Sequence, residues 1–200
     1  MTKKILKVGF DLDGVLLYNP ARLFRPIIAL IKRKKIIINR NHLEFYVPKP
    51  GLGQFFWELL HKSSMWLAPG FNEIEELKKA KKIEAYLITG RFGHLQENYE
   101  MWRKKMNADS LFMKSFMNSG DEQPHLFKER LIRELKLDYF IEDNWDIVQY
   151  LASRFNQSRQ EKKAVKIIWL SNIIDFKISY PYKVKSLKQA ISLIKSEQKL

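Results

Sequence analysis

Two aspartates one residue apart, Asp11 and Asp13, are the first residues in the chain whose types and spacing could do chemistry. They follow an apolar run from Lys4 to Phe10, which predicts a buried strand, and Gly14 comes directly after them. Because alternate side chains of an extended segment share a face, the two carboxylates could project the same way. Such carboxylates repel unless a cation lies between them or one stays protonated. The pair therefore indicates either a chemical site or a solvated turn at a strand end.

Three later segments favour the chemical site, because each has polar residues where a predicted strand ends or a predicted helix begins. These residues are Thr89 with Gly90, Lys128, and Glu142 with Asp143. The first and last groups end apolar runs at 83–88 and 138–141, and Lys128 lies near the start of a helix predicted from Pro124 to Lys136. In an open α/β sheet, the ligand crevice lies at the carboxyl ends of the strands.

The order of aspartates, threonine, lysine and acids closely resembles the haloacid dehalogenase (HAD) superfamily of phosphohydrolases, over nearly the whole chain. The resemblance implies that Asp11 attacks phosphorus to form an aspartyl-phosphate. Asp13 would protonate the leaving oxygen and then deprotonate the water that hydrolyses the intermediate. The family's phosphatases carry a second aspartate at this position, whereas its dehalogenases and ion-pump ATPases carry other residues. The resemblance therefore implies hydrolysis of a phosphomonoester.

The resemblance also implies which residues bind the phosphoryl group. Thr89 and the backbone amide of Gly90 would hold it, and Lys128 would pair with Asp11 and the phosphate and offset charge in the transition state. Arg91 follows the Thr-Gly pair directly. We expect Arg91 either to contact the substrate or to form a surface ion pair.

Other basic residues are weaker candidates. Lys114 also lies between the threonine and acidic motifs, but it falls within or just after a predicted strand. Lys128 instead begins a helix fifteen residues before Asp143, which is the family's usual arrangement. The four histidines show no metal-ligand spacing, so we expect each to be structural or exposed; they are His42, His61, His94 and His125.

Mg²⁺ is the cofactor that the resemblance implies. It would bind Asp11, the backbone carbonyl of Asp13 and an acid after the fourth strand, with water and phosphate oxygens completing six ligands. Glu142-Asp143 departs from the family's common Asp-Asp and Gly-Asp forms, although a Glu-Asp version occurs within it. We expect Asp143 to be a direct ligand and Glu142 a direct or water-mediated second. Asp146 is the alternative, unless it only complements the dipole of the helix it begins.

Strands that alternate with helical patterns predict an α/β fold, with a Rossmann-like, mainly parallel sheet flanked by helices. The predicted core consists of residues 1–20 and 68–200. Its further strands are expected near Ser110–Met113 and Val165–Leu170.

Residues 21–67 are too many for an ordinary connection and are expected to form a small, helical cap. We predict helices near 21–34 and 51–61, joined by a less regular segment at 36–47. Pro69-Gly70 precedes the next helix, as in many HAD proteins whose chain returns to the core after a cap. The alternative is that this region packs beside the sheet as a crossover.

Composition limits the classes of partner. The 200 residues carry a net charge of +14 and no cysteine, which excludes disulfides and thiol catalysis and fits a cytoplasmic protein. No apolar run approaches the ~18 residues of a membrane span, so no membrane is expected. Residues 21–67 hold nine Lys and Arg against two acids, and residues 156–200 hold ten against three. This basic excess suggests anionic partners, unless it merely solvates the surface.

The leading prediction is a Mg²⁺-dependent phosphatase that acts on a small phosphorylated substrate. The Thr-Gly-Arg and Glu-Asp segments look somewhat like those of nucleotidase-type members, which suggests a nucleotide. The basic cap supports a second reading, a phosphatase of polynucleotide ends with nucleic acid as its partner. A catalytically idle polyanion-binding module is the third, although the intact acidic motifs argue against it. A phosphotransferase stays open, because the intermediate can pass phosphate to an acceptor other than water.

Overall fold

A computed structural model describes residues 4–18, 43–62, 64, 66–156 and 165–197. Its strands are β1 Leu6–Phe10, β2 Leu17–Tyr18, β3 Trp66–Leu67, β4 Ile83–Phe92, β5 Lys114–Asn118, β6 Tyr139–Glu142, β7 Lys166–Leu170 and β8 Lys183–Val184. Six of these strands form one sheet in the order β5-β4-β1-β6-β7-β8, and every neighbouring pair is parallel. The predicted α/β fold with a parallel sheet is confirmed.

Helices cover both faces of this sheet. They are α1 Leu52–Lys62, α2 Phe71–Lys79, α3 Gln96–Lys105, α4 Ala108–Leu111, α5 Pro124–Leu135, α6 Trp145–Asn156 and α7 Leu187–Glu197, with 3₁₀ turns at Gly93–Leu95 and Ile173–Lys177. Successive side chains of a strand point to opposite faces of the sheet. The strands therefore contribute apolar side chains to two separate buried layers, one on each face. One layer contains side chains from α2, α3 and α7, and the other contains side chains from α5 and α6.

Strand β1 lies at the point where the chain changes direction across the sheet. From β1 the chain continues to β4 and β5 on one side, and afterwards to β6, β7 and β8 on the other. The carboxyl ends of β4, β1 and β6 are therefore neighbours. In an open α/β sheet, this switch point is where the ligand crevice forms.

The strand predicted near Ser110–Met113 is wrong. Residues Ala108–Leu111 form the short helix α4, and the strand begins only at Lys114. The three-residue apolar run at 111–113 does not distinguish a strand from a buried helical turn. Leu111 and Phe112 are buried under the sheet as packing residues, whereas β5 is an edge strand that is mostly half-buried.

Strand β2, which precedes the predicted cap, and strand β3, at the end of the predicted cap, lie side by side. Strand β2 pairs antiparallel with β3, so that Leu17 lies opposite Leu67. The bounds of helix α1, Leu52–Lys62, differ by one residue at each end from those of the helix predicted at 51–61. The helix predicted near 21–34 falls outside the described residues. Gly70 directly precedes α2 and has φ 104°. A Cβ at this position would lie 2.6 Å from the Lys188 backbone nitrogen. The division into core and cap stays a prediction.

None of the helices in the described ranges is both long enough and apolar enough to cross a membrane.

Candidate active site

Charged side chains from the two neighbouring strands β1 and β6 meet at the carboxyl edge of the sheet. Asp11 directly follows β1, and its backbone N–H still donates to the Ile141 carbonyl at 3.0 Å, which holds it beside β6. Glu142 ends β6 and Asp143 follows it. Among the described residues, the carboxylate oxygens of these three acids form a group within 4.8 Å of one another, and all three residues are buried.

Lys128 lies inside this acidic group. Its Nζ is 3.0 Å from Asp11 Oδ1 and donates to Glu142 Oε2 at 2.6 Å. The lysine is only 2% exposed, and Glu142 is fully buried. Of the two lysines considered from the sequence, Lys128 is therefore the one at the acids. Lys114 is exposed at the other end of its strand, with Nζ 5.0 Å from the Phe116 ring centroid.

The missing side chain at Gly90 allows helix α5, which carries Lys128, to pack closely against β4. A Cβ at Gly90 would lie 3.1 Å from Pro124 Cβ, which is tighter than most real contacts, and 3.6 Å from Lys128 Cε. Pro124 occupies the first turn of α5, where its missing N–H has no intrahelical partner to lose. Glycine and proline together place the start of this helix against β4.

Burial and mutual repulsion dominate the electrostatics of the acids. Burial raises the pKa of Asp11 well above its usual value; Lys128 opposes this shift, and the carboxylates of Glu142, Asp143 and Asp13 add to it. The pKa of Glu142 is also raised, first by burial and then by Asp143, against the opposing charge of Lys128. Burial alone would lower the pKa of Lys128, but Asp11 and Glu142 together raise it. One lysine does not offset three buried carboxylates.

The donor set fits a hard divalent cation such as Mg²⁺. All the ligand atoms that the group offers are carboxylate oxygens, which Mg²⁺ prefers, and a cation would supply the positive charge that the cluster lacks. Glu142 is already heavily bonded, because Oε1 accepts from the backbone N–H groups of Asp143 and Asn144 at 3.1 and 2.9 Å. With Lys128 on Oε2, Glu142 fits a water-mediated contact better than a direct one.

Asp143 and Asp146 have different surroundings. The Asp143 carbonyl accepts a hydrogen bond from the buried Trp169 indole at 3.2 Å, which fixes the loop after β6. Asp146 is exposed in the first turn of α6, where its N–H donates to Asn144 Oδ1 at 3.0 Å. Asp146 lies outside the three-acid group, and its position suits the helix dipole.

An irregularity in β4 determines where Thr89 and Arg91 point. Thr89 pairs with Met117 of β5 and Phe92 pairs with the next residue, Asn118, so that Gly90 and Arg91 form a bulge. Bulges re-aim side chains and are common beside active sites. Thr89 is buried, and its Oγ1 accepts from the Arg91 N–H at 3.3 Å.

Arg91 does not form the surface ion pair considered from the sequence. It is 2% exposed and grips Asp13 with two parallel contacts, from Nε to Oδ2 and from Nη2 to Oδ1, both 2.7 Å. Its Nη1 donates to Asn98 Oδ1 on α3. Sequence reasoning missed this partnership, because 78 residues separate the arginine from Asp13.

Two residues of the predicted cap also contact Asp13. The Ser64 hydroxyl donates to Oδ1 at 3.3 Å, and His61 Nε2 lies 3.9 Å from Oδ2. His61 Nδ1 is 2.8 Å from the Trp57 carbonyl, so Nδ1 carries a hydrogen and Nε2 faces the aspartate. From the sequence, each histidine is expected to be structural or exposed, and His61 is buried. It lies beside Asp13, which was not expected. No local spacing could have revealed either contact.

Comparisons with known proteins agree on the fold. No protein-family model matches the sequence, and no curated protein matches it. The solved structure of CbbY from Rhodobacter sphaeroides in complex with phosphate is 14% identical, with a TM-score of 0.55 over 93% of this chain and 96% of that one. A putative β-phosphoglucomutase from Thermotoga maritima is 15% identical, with a TM-score of 0.55 over 96% and 99%.

A third solved structure, a haloacid dehalogenase-like hydrolase from Xanthomonas campestris, is 15% identical with a TM-score of 0.54, over 98% of this chain and 97% of that one. These structural similarities cover nearly the whole chain. The resemblance in the order of motifs is therefore matched by a similarity in fold. The fold is HAD-like, as the sequence resemblance predicted.

Proposed function

We propose that the chain is a Mg²⁺-dependent phosphomonoester hydrolase that works through an aspartyl-phosphate on Asp11. The observation that carries the proposal is the buried contact of Asp11 with Lys128, beside Glu142 and Asp143, at the switch point of a HAD-type sheet. Structural pairing alone would need one acid for one lysine. Three clustered carboxylates are costly to bury, and a site for phosphoryl transfer explains why they are together.

In the first half-reaction, an Asp11 carboxylate oxygen attacks phosphorus and the bond from phosphorus to the leaving oxygen breaks. Asp13, two residues on, gives its proton to that oxygen, so that an alcohol leaves. Lys128 offsets the negative charge that Asp11 and the phosphoryl oxygens share in the transition state. The Thr89 hydroxyl and the Gly90 amide hold the phosphoryl oxygens.

In the second half-reaction, water attacks the phosphorus of the aspartyl-phosphate and gives a proton to Asp13. The bond from phosphorus to Asp11 breaks, which releases inorganic phosphate and restores both aspartates. Asp13 thus regains the proton that it gave to the leaving oxygen.

Mg²⁺ would be held by Asp11, the Asp13 carbonyl and Asp143, with Glu142 acting through water. When bound, the cation neutralises charge on the phosphate and on the nucleophile. The close grouping of the three buried carboxylates supports this assignment, because a divalent cation would offset their mutual repulsion.

The substrate that we favour is a small phosphorylated molecule, with a nucleotide as the first candidate. The net charge of +14 would attract any anionic substrate over a distance of about 8–10 Å near physiological salt. A predicted cap that supplies His61 and Ser64 at Asp13 would bring specificity to the leaving-group side of the site.

The test is a phosphate-release screen across nucleotides, sugar phosphates and 3′- or 5′-phosphorylated oligonucleotides, with Mg²⁺ and with a chelator. Metal-dependent release from small phosphomonoesters, lost in Asp143→Asn and kept in Asp146→Asn, is the expected result. Release only from oligonucleotides would instead indicate a polynucleotide-end phosphatase. A wild-type chain that releases no phosphate from any substrate would overturn the proposal and favour a polyanion-binding module.

A further inference from the structure

Asp13 is held in place far more firmly than its neighbour in the motif. Both of its carboxylate oxygens accept from the Arg91 fork at 2.7 Å, and Oδ1 also accepts from Ser64. Two parallel contacts from one planar guanidinium fix the plane of a carboxylate as well as its position. Among the described residues, Lys128 is the basic partner of Asp11, and its amine acts as a point charge without a preferred plane.

The arginine is itself fixed by three elements of the fold. The bulge in β4 aims the side chain inward, burial removes it from competing water, and Asn98 of α3 accepts from the one guanidinium nitrogen that Asp13 does not use. Each of the three guanidinium nitrogens therefore donates a hydrogen bond, which fixes the orientation of the fork.

We propose that Arg91, supported by Asn98, is a positioning residue that orients the Asp13 carboxyl group for proton transfer. The inference rests on the proposed function, because it assumes that Asp13 exchanges a proton with the leaving oxygen and with water. Proton transfer requires the donor and acceptor to lie within hydrogen-bond distance, and a misplacement of about 1 Å can lower the rate about 10²-fold. An arginine that holds Asp13 through two hydrogen bonds sets this distance through the Asp13 carboxyl group, without a role for its own protons in the transfer.

A lysine at position 91 would keep the positive charge but lose the planar fork, so Arg91→Lys is the main variant. Asn98→Ala is the second, because it frees one end of the guanidinium while leaving the Asp13 contacts themselves. Arg103→Lys is the matched control, since Arg103 lies on the same helix α3 but pairs with Glu100 and Asp109 at the surface. Thermal unfolding of each variant checks that the fold is retained.

The assay compares kcat/KM for p-nitrophenyl phosphate, whose leaving group needs little protonation, with kcat/KM for an alkyl phosphate, whose leaving group needs a proton. Complete loss of proton transfer costs about 10²–10⁴-fold. Arg91→Lys is expected to lose at least about tenfold more on the alkyl phosphate than on the aryl one, and Asn98→Ala to shift the same ratio by a smaller factor. Arg103→Lys should leave the ratio unchanged.

A double-mutant cycle with Asp13→Asn separates positioning from other roles. When Asp13 can no longer transfer a proton, adding Arg91→Lys should cost nothing further on the alkyl phosphate. Equal losses on both substrates that persist in the Asp13→Asn background would overturn the inference, because Arg91 would then act on the substrate or on the fold.

The Asp13→Asn variant distinguishes an error in the proposed function from an error in the role of Arg91. If Asp13→Asn itself spares neither substrate relative to the other, the acid–base role of Asp13 fails and this inference fails with it. If Asp13→Asn shows the expected preference and Arg91→Lys does not, only the positioning role of Arg91 is overturned.

Discussion

Replacing Lys128 by methionine tests the electrostatic logic of the site most sharply. The change keeps an unbranched chain of similar length in a position that is 2% exposed, and it removes the Nζ that lies 3.0 Å from Asp11 and 2.6 Å from Glu142. Three carboxylates would then stay buried without the cation that partly offsets them. The variant therefore isolates charge from volume.

The size of the effect follows from the geometry. Removing one partner of a buried ion pair costs about 3–5 kcal/mol of unfolding free energy, because the other partner stays buried without compensation. For a chain of this length each kcal/mol lowers Tm by about 2–4 °C, so we expect Lys128→Met to lower Tm by roughly 6–20 °C. Activity should fall by about 10²–10³-fold, as it does when one stabilising group is removed from a transition state.

The assay is urea unfolding followed by tryptophan fluorescence, near pH 8 and with chelator present so that bound metal does not replace the lost charge. Lys114→Met is the matched control, and as a change at an exposed site it should stay within about 0.5 kcal/mol of wild type. Adding Glu142→Gln to Lys128→Met removes one uncompensated carboxylate and should restore about 1 kcal/mol or more. A Lys128→Met chain as stable as the control, or a double variant no more stable than the single one, would refute the reasoning.

Two further predictions follow from the same contacts. Gly90→Ala should lower kcat while the chain still folds, because the new methyl group would lie 3.1 Å from Pro124 Cβ; Gly120→Ala, where a Cβ would meet nothing within 4 Å, is the comparison for activity assays. Burial raises the pKa values of Asp11 and Glu142, so the stability they contribute without metal is present at low pH and is lost as pH rises through the raised values. Mg²⁺ competes with those protons and should raise Tm more at pH 8 than at pH 5.5. At 100 times Kd, bound Mg²⁺ adds about 2.7 kcal/mol to the unfolding free energy. An equal Tm shift at both pH values would contradict the assignment.

The sequence predicted those parts of the fold and site that depend on local pattern. Strand β1 and the helix carrying Lys128 are strongly patterned, and the polar residues that follow such elements must gather at one edge of a parallel sheet. The position of the edge strand β5 was predicted wrongly, because a half-buried strand has no clear apolar alternation. The neighbouring apolar run also misled the prediction, because Leu111 in that run belongs to a helix.

The contacts of Asp13 could not be predicted from local pattern. Whether Arg91 points to water or into the site depends on a bulge defined by the register of β4 against β5. His61 and Ser64 reach Asp13 from near the end of the predicted cap, and only the tertiary path of the chain determines that approach. Single residues of ordinary type at large sequence separation carry no signal until the fold is known.

The most direct measurement of the central claim is the location of the phosphoryl group on the enzyme during turnover. Wild-type protein incubated with labelled substrate and Mg²⁺, then quenched in acid, should retain label on Asp11. Asp13→Asn should retain more label, because hydrolysis of the intermediate slows, and Asp11→Asn should retain none and be inactive. Label on any other residue, or an active Asp11→Asn chain, would contradict the account.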